Sequence, residues 1–210
     1  MRLPPPPAAA PAAQTIQAVG QLGPRHRELS PGDAYPTATI AKLTGVGTQV
    51  TLDAATAGVL KSNGVSVAPV GPATATMAGS NTVVAFPITG GHISLFDKSV
   101  QANSTPWIQG EIDHSGGLTF SAGGKEVTVT NFIVDPGKSL LTAAAGAQVP
   151  LLFLDGTNVA VSKDAAGHVL LDGTVAKLTQ QAADALNITF GVSLFKKDIP
   201  VGTVHLTAAG

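Results

Sequence analysis

From Thr37 onward, apolar and polar residues alternate over short stretches that glycine and aspartate interrupt. Thr37–Leu43 and Thr48–Leu52 read as strands on either side of a Gly45-Val46-Gly47 turn. Thr82–Ile88 is β-branched and apolar, Thr89-Gly90-Gly91 breaks it, and His92-Ile93-Ser94-Leu95-Phe96 resumes, so a hairpin is predicted there. The clearest hairpin lies further on. Leu118 and Phe120 share a face, Ala122-Gly123-Gly124 supplies positive φ, and Val127 and Val129 alternate with Thr128 and Thr130. Asp135-Pro136-Gly137, Asp155-Gly156, Asp164–Gly167 and Asp172-Gly173 add further turns. Such regular punctuation predicts an all-β fold, specifically an antiparallel β-sandwich.

Two segments carry helix signals within this β pattern. Asp53 precedes Ala54–Leu60 and Gly64, and Thr179 precedes Gln180–Leu186 and Gly191. Each side-chain oxygen is suited to cap the free N–H groups of a first turn, and each glycine suits a left-handed stop. Both segments are followed by a Pro-Val-Gly, at Pro69-Val70-Gly71 and Pro200-Val201-Gly202. Helices this short are marginal alone, so each is expected to pack an Ala/Leu face on the sheet as one of two caps covering the ends of the sandwich.

Composition divides the chain. Eight of its 15 prolines fall within residues 1–36, which predicts a disordered Pro/Ala-rich tail before a single sandwich domain over residues 37–210. Arg2 is followed by no apolar run of signal-peptide length, so an intact signal peptide is not expected in this chain. No apolar stretch approaches the roughly 18–20 residues of a membrane-spanning helix, and no transmembrane segment is predicted. With 12 Lys+Arg against 13 Asp+Glu the formal net charge is -1 and no basic stripe appears, which argues against nucleic acid as a partner. The absence of cysteine excludes disulfides, thiolate metal sites and thiol nucleophiles.

Candidate chemistry is sparse. The five histidines, His26, His92, His114, His168 and His205, show no His-x-His or His-Glu-x-x-His spacing, so no metal site is predicted. Asp113-His114-Ser115 holds the residue types of a hydrolase relay, but consecutive residues of an extended chain point alternately, and no Gly-x-Ser-x-Gly elbow exists. No catalytic residue is assigned, and the protein is expected not to be an enzyme. Two residues stand out as ligand-binding candidates. His114 precedes Gly116-Gly117, where a small-residue turn would set its imidazole at a loop tip facing a groove. Trp107, the one tryptophan, follows Pro106 in a polar segment, and either walls a ligand or folds back as a lid on the core. The seven phenylalanines, Phe86, Phe96, Phe120, Phe132, Phe153, Phe190 and Phe195, are expected in the core.

The C-terminal half also carries a family resemblance. Val149-Pro150-Leu151, Leu154-Asp155, a glycine-ended hairpin through Gly167 and Gly173, the segment Ala176–Leu186 and Ile199-Pro200-Val201-Gly202 together resemble the closing half of HtaA-type domains. Gly110–Leu118 with the strand Val127–Val134 is similar to that family's glycine-flanked histidine and following strand. The resemblance covers residues 110–210. It implies a secreted or cell-envelope β domain of the haem-uptake kind, with a small-molecule ligand or a cell-surface component as partner. Haem-binding members use a tyrosine supported by a histidine; the one tyrosine here is Tyr35, in the proline-rich tail, and His114 corresponds to the supporting histidine. Three functions follow as expectations: a non-catalytic binding domain, a haem or porphyrin carrier acting through His114, and a structural or self-associating surface protein.

Overall fold

The computed structural model describes residues 36–96 and 107–210. The expected tail thus lies outside the described residues except for Pro36, as do Tyr35, His26 and the segment leading into Trp107. The described elements are β1 (Pro36–Ile40), β2 (Gly45–Leu52), α1 (Ala54–Ser62), β3 (Ser66–Val70), β4 (Thr74–Ala78), β5 (Asn81–Phe96), β6 (Ile108–His114), β7 (Gly117–Ala122) and β8 (Lys125–Asp135). A 3-10 turn at Pro136–Lys138 leads into β9 (Leu140–Ala145), β10 (Ala147–Asp155), β11 (Ala160–Lys163), β12 (Val169–Leu178), α2 (Gln180–Phe190) and β13 (Pro200–Ala209).

The fold is all-β and antiparallel, but it is a barrel and not a sandwich. Strands β5, β2, β13, β12, β10, β9 and β8 pair in that order, and β6 joins β5 on one edge to β8 on the other, which closes the sheet. Eight strands therefore form the wall, with β1, β3, β4, β7 and β11 as additions. A sandwich and a barrel both bury one face of each strand, so the period of two cannot separate them. The deciding contacts are the non-local pairs made by β6, Gly91 with Ile112 and Ile112 with Val134.

Three predicted turns are parts of strands. Gly45-Val46-Gly47 opens β2, and β1 and β2 do not pair with each other; both lie along β5, through Ile40 with Ile93 and Gly47 with Pro87. Gly90 and Gly91 likewise sit inside the 16-residue β5, where the register shifts between Ile88 and Gly90. The strand bends there and hands over from β2 and β4 to β6 and β1. Gly91 has φ +108, and a Cβ on it would run into the Glu111 carbonyl, so the glycine serves a close strand approach. Asp172-Gly173 is also a bulge, within β12. By contrast, β7 and β8 form the predicted hairpin, with Gly123 at φ 58 and Gly124 at φ 76 in its turn.

Both helices form where expected. Asp53 Oδ1 accepts from the Thr56 N–H at 2.8 Å, Thr179 Oγ1 accepts from the Ala182 N–H at 3.2 Å, and Gly191 caps α2 in the left-handed region at φ 69. They do not cover opposite ends, however. Leu52, Gly202 and Ala176 stand abreast on β2, β13 and β12, so α1 and α2 leave the barrel from the same end. Only α2 buries residues there: Ala182, Ala183 and Leu186. Of the phenylalanines, Phe86, Phe132 and Phe195 are buried, Phe96, Phe120 and Phe190 are partly so, and Phe153 is 41% exposed, pointing outward beside Lys177.

Candidate functional site

The inward faces of the wall strands do not fill the barrel. They enclose a cavity of about 360 Å³, lined by Val50, Val84, Phe86, Ile112, Phe132, Leu171, Ala176, Val204 and Leu206 among others. An eight-stranded barrel lies at the size where the interior is either filled by side chains or left to hold one small ligand. At the helical end, α2 packs on β10 and β8. The other end is set by chain direction: β10 runs antiparallel to β12, so Asp155 lies opposite α2, together with the end of β8 and the start of β6. Trp107, Pro136, Ser139, Asp155, Thr157 and Val159 line the cavity here, and Thr157 is exposed, which marks this end as the mouth.

Both sequence-predicted site residues line this cavity, at the two ends of β6. Trp107 stands immediately before β6 and is half-buried against the core. Its carbonyl accepts from the Phe96 N–H at 2.8 Å, which ties the entry of β6 to the end of β5. His114 is the last residue of β6, about 20 Å further along at roughly 3.3 Å per strand residue.

His114 is a buried strand residue, 5% exposed, not the tip of a loop. Gly116 and Gly117 form no turn beside it. They mark the seam where the strand leaves β5 for a new neighbour: the Ser115 N–H still donates to the Pro87 carbonyl, whereas Gly117–Ala122 pairs with β3. A Cβ on Gly116 would collide with the Ala73 N and Cβ atoms, so the loop between β3 and β4 seats against a bare backbone.

The imidazole is held on both sides. Nδ1 lies 3.3 Å from the Phe132 carbonyl and Nε2 lies 2.7 Å from Thr48 Oγ1. A carbonyl only accepts, so Nδ1 carries the proton and Nε2 accepts from the Thr48 hydroxyl. Burial pushes the His114 pKa below its ordinary value; hydrogen bonding to the Phe132 and Ile112 backbone and the charge of Asp113 oppose this without cancelling it. His114 is accordingly neutral at pH 7. Neither ring nitrogen reaches a metal without giving up a buried hydrogen bond.

Thr48 escaped the sequence reading, although a signal existed. It shares its strand face with Val50 and Leu52, so alternation alone places it inward. The charged groups at the mouth escaped too. Asp155 Oδ2 accepts from Lys177 Nζ at 2.7 Å, and its Oδ1 accepts from Thr157 Oγ1 at 2.6 Å. The Lys177 hydrogen bond, then those from Thr157, hold the carboxyl well below the usual carboxylate range. Asp135 pairs with Lys138 at 2.7 Å beside Pro136. The remaining described histidines lie away from the cavity: His168 pairs with Asp164 at 2.8 Å, His205 with Asp172 at 2.9 Å, and His92 is exposed on β5. Among the described residues, no three His, Asp or Glu converge as metal ligands.

A solved structure, the C-terminal domain of HtaA from Corynebacterium glutamicum, superposes on 80% of this chain and 97% of its own, with a TM-score of 0.51 and 12% sequence identity. The chain is HtaA-like in fold. The likeness extends well beyond the C-terminal half in which the residue patterns pointed to it. No protein-family model and no curated protein matches the sequence, so the similarity is carried by structure alone. Within the described residues no helix is long and apolar enough to cross a membrane.

Proposed function

We propose that this HtaA-like domain is a non-catalytic binding domain that holds a small apolar molecule inside its barrel, acting outside the cell or in its envelope. The observation that carries the reading is the preformed lumen: about 360 Å³ of space inside the barrel, behind a polar mouth. Its volume falls in the range of about 300–1,000 Å³ typical of small-molecule sites, which are mostly apolar with a few placed polar groups. The family resemblance in residues 110–210 supports the location. The hydroxyl–imidazole pair Thr48–His114 has no carboxylate behind its ring, since Nδ1 faces the Phe132 carbonyl, and the described residues hold no metal cluster, which supports a binding role.

Fluorescence titration with N-phenyl-1-naphthylamine, an uncharged probe that brightens in apolar surroundings, tests the proposal. Saturable one-to-one binding that quenches Trp107 is expected, and Ala176→Phe, which projects a ring into the lumen, is expected to abolish it while the circular dichroism stays native. Binding of equal strength in a folded Ala176→Phe protein contradicts an internal site. Turnover of ester, glycoside or peptide substrates contradicts the non-catalytic half. A porphyrin carried through His114 is the competing reading. It requires the imidazole to release Thr48, and a Soret shift seen with the parent protein and lost in His114→Ala would establish it.

A further inference from the structure

The lumen is chemically one-sided where its lining is polar and buried. Its buried polar side chains are Thr48 and His114, 4% and 5% exposed, and both line the cavity. Each of their polar hydrogens is already used: His114 Nδ1–H points to the Phe132 carbonyl, and the Thr48 hydroxyl donates to His114 Nε2. What remains is acceptor capacity, the lone pairs of Thr48 Oγ1. A ligand group that reaches the Thr48–His114 pair finds an acceptor but no donor.

Charge narrows the choice further. The imidazole is neutral, and the walls around it are Phe86, Ile112 and Phe132. An anion brought to this pair meets no donor, and a cation meets no counter-charge, so either leaves water without compensation. The mouth offers an ionic group no better place. Its carboxylates Asp135 and Asp155 are each paired with a lysine, Lys138 and Lys177, at 2.7 Å.

Resting on the proposed internal site, the geometry points to an uncharged ligand: an apolar body ending in a hydroxyl, which enters head first and donates its proton to Thr48 Oγ1. The class is that of neutral lipid-like alcohols. Ethers, ketones and carboxylates of the same length lack the donor that the site accepts.

The test is displacement of N-phenyl-1-naphthylamine from the full chain by four compounds of matched length: 1-octanol, octyl methyl ether, octanoate and octylammonium. Octanol is expected to displace the probe at about one-tenth the concentration the others require, the worth of one buried hydrogen bond. Thr48→Val is expected to erase the advantage of octanol over its ether, and Thr48→Ser, which restores the hydroxyl, to retain it. Equal displacement by octanol and its ether, or stronger displacement by either ion, overturns the inference while leaving the internal site standing. Failure of the parent protein to bind the probe at all overturns both together. The parent comparison decides the matter even if Thr48→Val does not fold.

Discussion

The two ends of the barrel are built from opposite materials. At the helical end, α2 lays Ala182, Ala183 and Leu186 on the strands, and its first turn is fastened by Thr179, whose N–H donates to the Leu151 carbonyl and whose hydroxyl donates to that of Pro150. At the mouth the chain presents short turns, paired charges and a half-buried Trp107. One end excludes water with aliphatic contact; the other meets it with groups that satisfy one another. The difference divides labour: stability is invested where α2 packs on β10 and β8, which leaves the opposite end free to admit a ligand.

The sharpest test of that division is truncation at the closed end. Leu186→Ala removes a buried side chain, 6% exposed, from the helix packed on β10 and β8, and is expected to cost about 2–5 kcal/mol in denaturant unfolding. Val59→Ala on α1, 46% exposed at the same end, is expected to change stability by less than about 0.5 kcal/mol. Equal costs at the two positions would show that α1 carries as much of the packing at this end as α2.

Next in size comes acidification, which acts between the two ends. The folded chain holds His114 neutral with a depressed pKa, whereas the unfolded chain titrates near the ordinary imidazole value of about 6.5. Below that value the unfolded state binds the extra proton and the folded state does not, so stability is complete above about pH 6.5 and declines as pH falls toward the folded pKa. The steepest slope is about 1.4 kcal/mol per pH unit. Unfolding followed from pH 8 to 5 measures it. The double change Thr48→Val with His114→Leu replaces both partners by apolar groups and is expected to flatten this part of the profile.

Which of these features the sequence disclosed depended on the range of the interaction behind them. Caps and the β7–β8 turn are local: Asp53, Thr179 and Gly123-Gly124 act on neighbours two or three residues away, and all three were readable. Closure was not, because it depends on β6 finding β5 and β8 at once. The same blindness explains Gly90-Gly91. A glycine pair ends a strand when the chain folds back on itself, as at Gly123-Gly124, but bends one when each half meets a different neighbour. His114 stands out in the sequence by its residue type and its glycine neighbours, yet its burial follows from β2 and β8 delivering Thr48 and the Phe132 carbonyl to either side.

A smaller effect separates the two helix caps. Thr179→Ala removes the acceptor of the Ala182 N–H at the start of α2 and is expected to cost about 1 kcal/mol. Asp53→Ala removes the corresponding acceptor of the Thr56 N–H, but α1 buries no residue, so fraying it exposes little. Amide exchange is expected to rise locally in α1 after Asp53→Ala, and across α2 and β10 after Thr179→Ala.

The mouth supplies the mildest perturbation and the one most specific to recognition. Asp155 is solvent-facing, and its pairing with Lys177 contributes little to stability because water and salt screen both charges. Asp155→Asn is therefore expected to leave the melting temperature unchanged. It does change the electrostatics of entry, since Lys177 is left without its carboxylate partner and the rim of the lumen gains net positive character. Octanoate should then displace the naphthylamine probe at a lower concentration than it does from the parent protein, and octanol at the same concentration as before. Loss of that new preference at high ionic strength would assign it to the freed lysine, because an exposed charge is screened within about 10 Å at 0.1 M salt. A large fall in melting temperature instead would show that the mouth shares the structural load carried by α2, and the division between the two ends would fail.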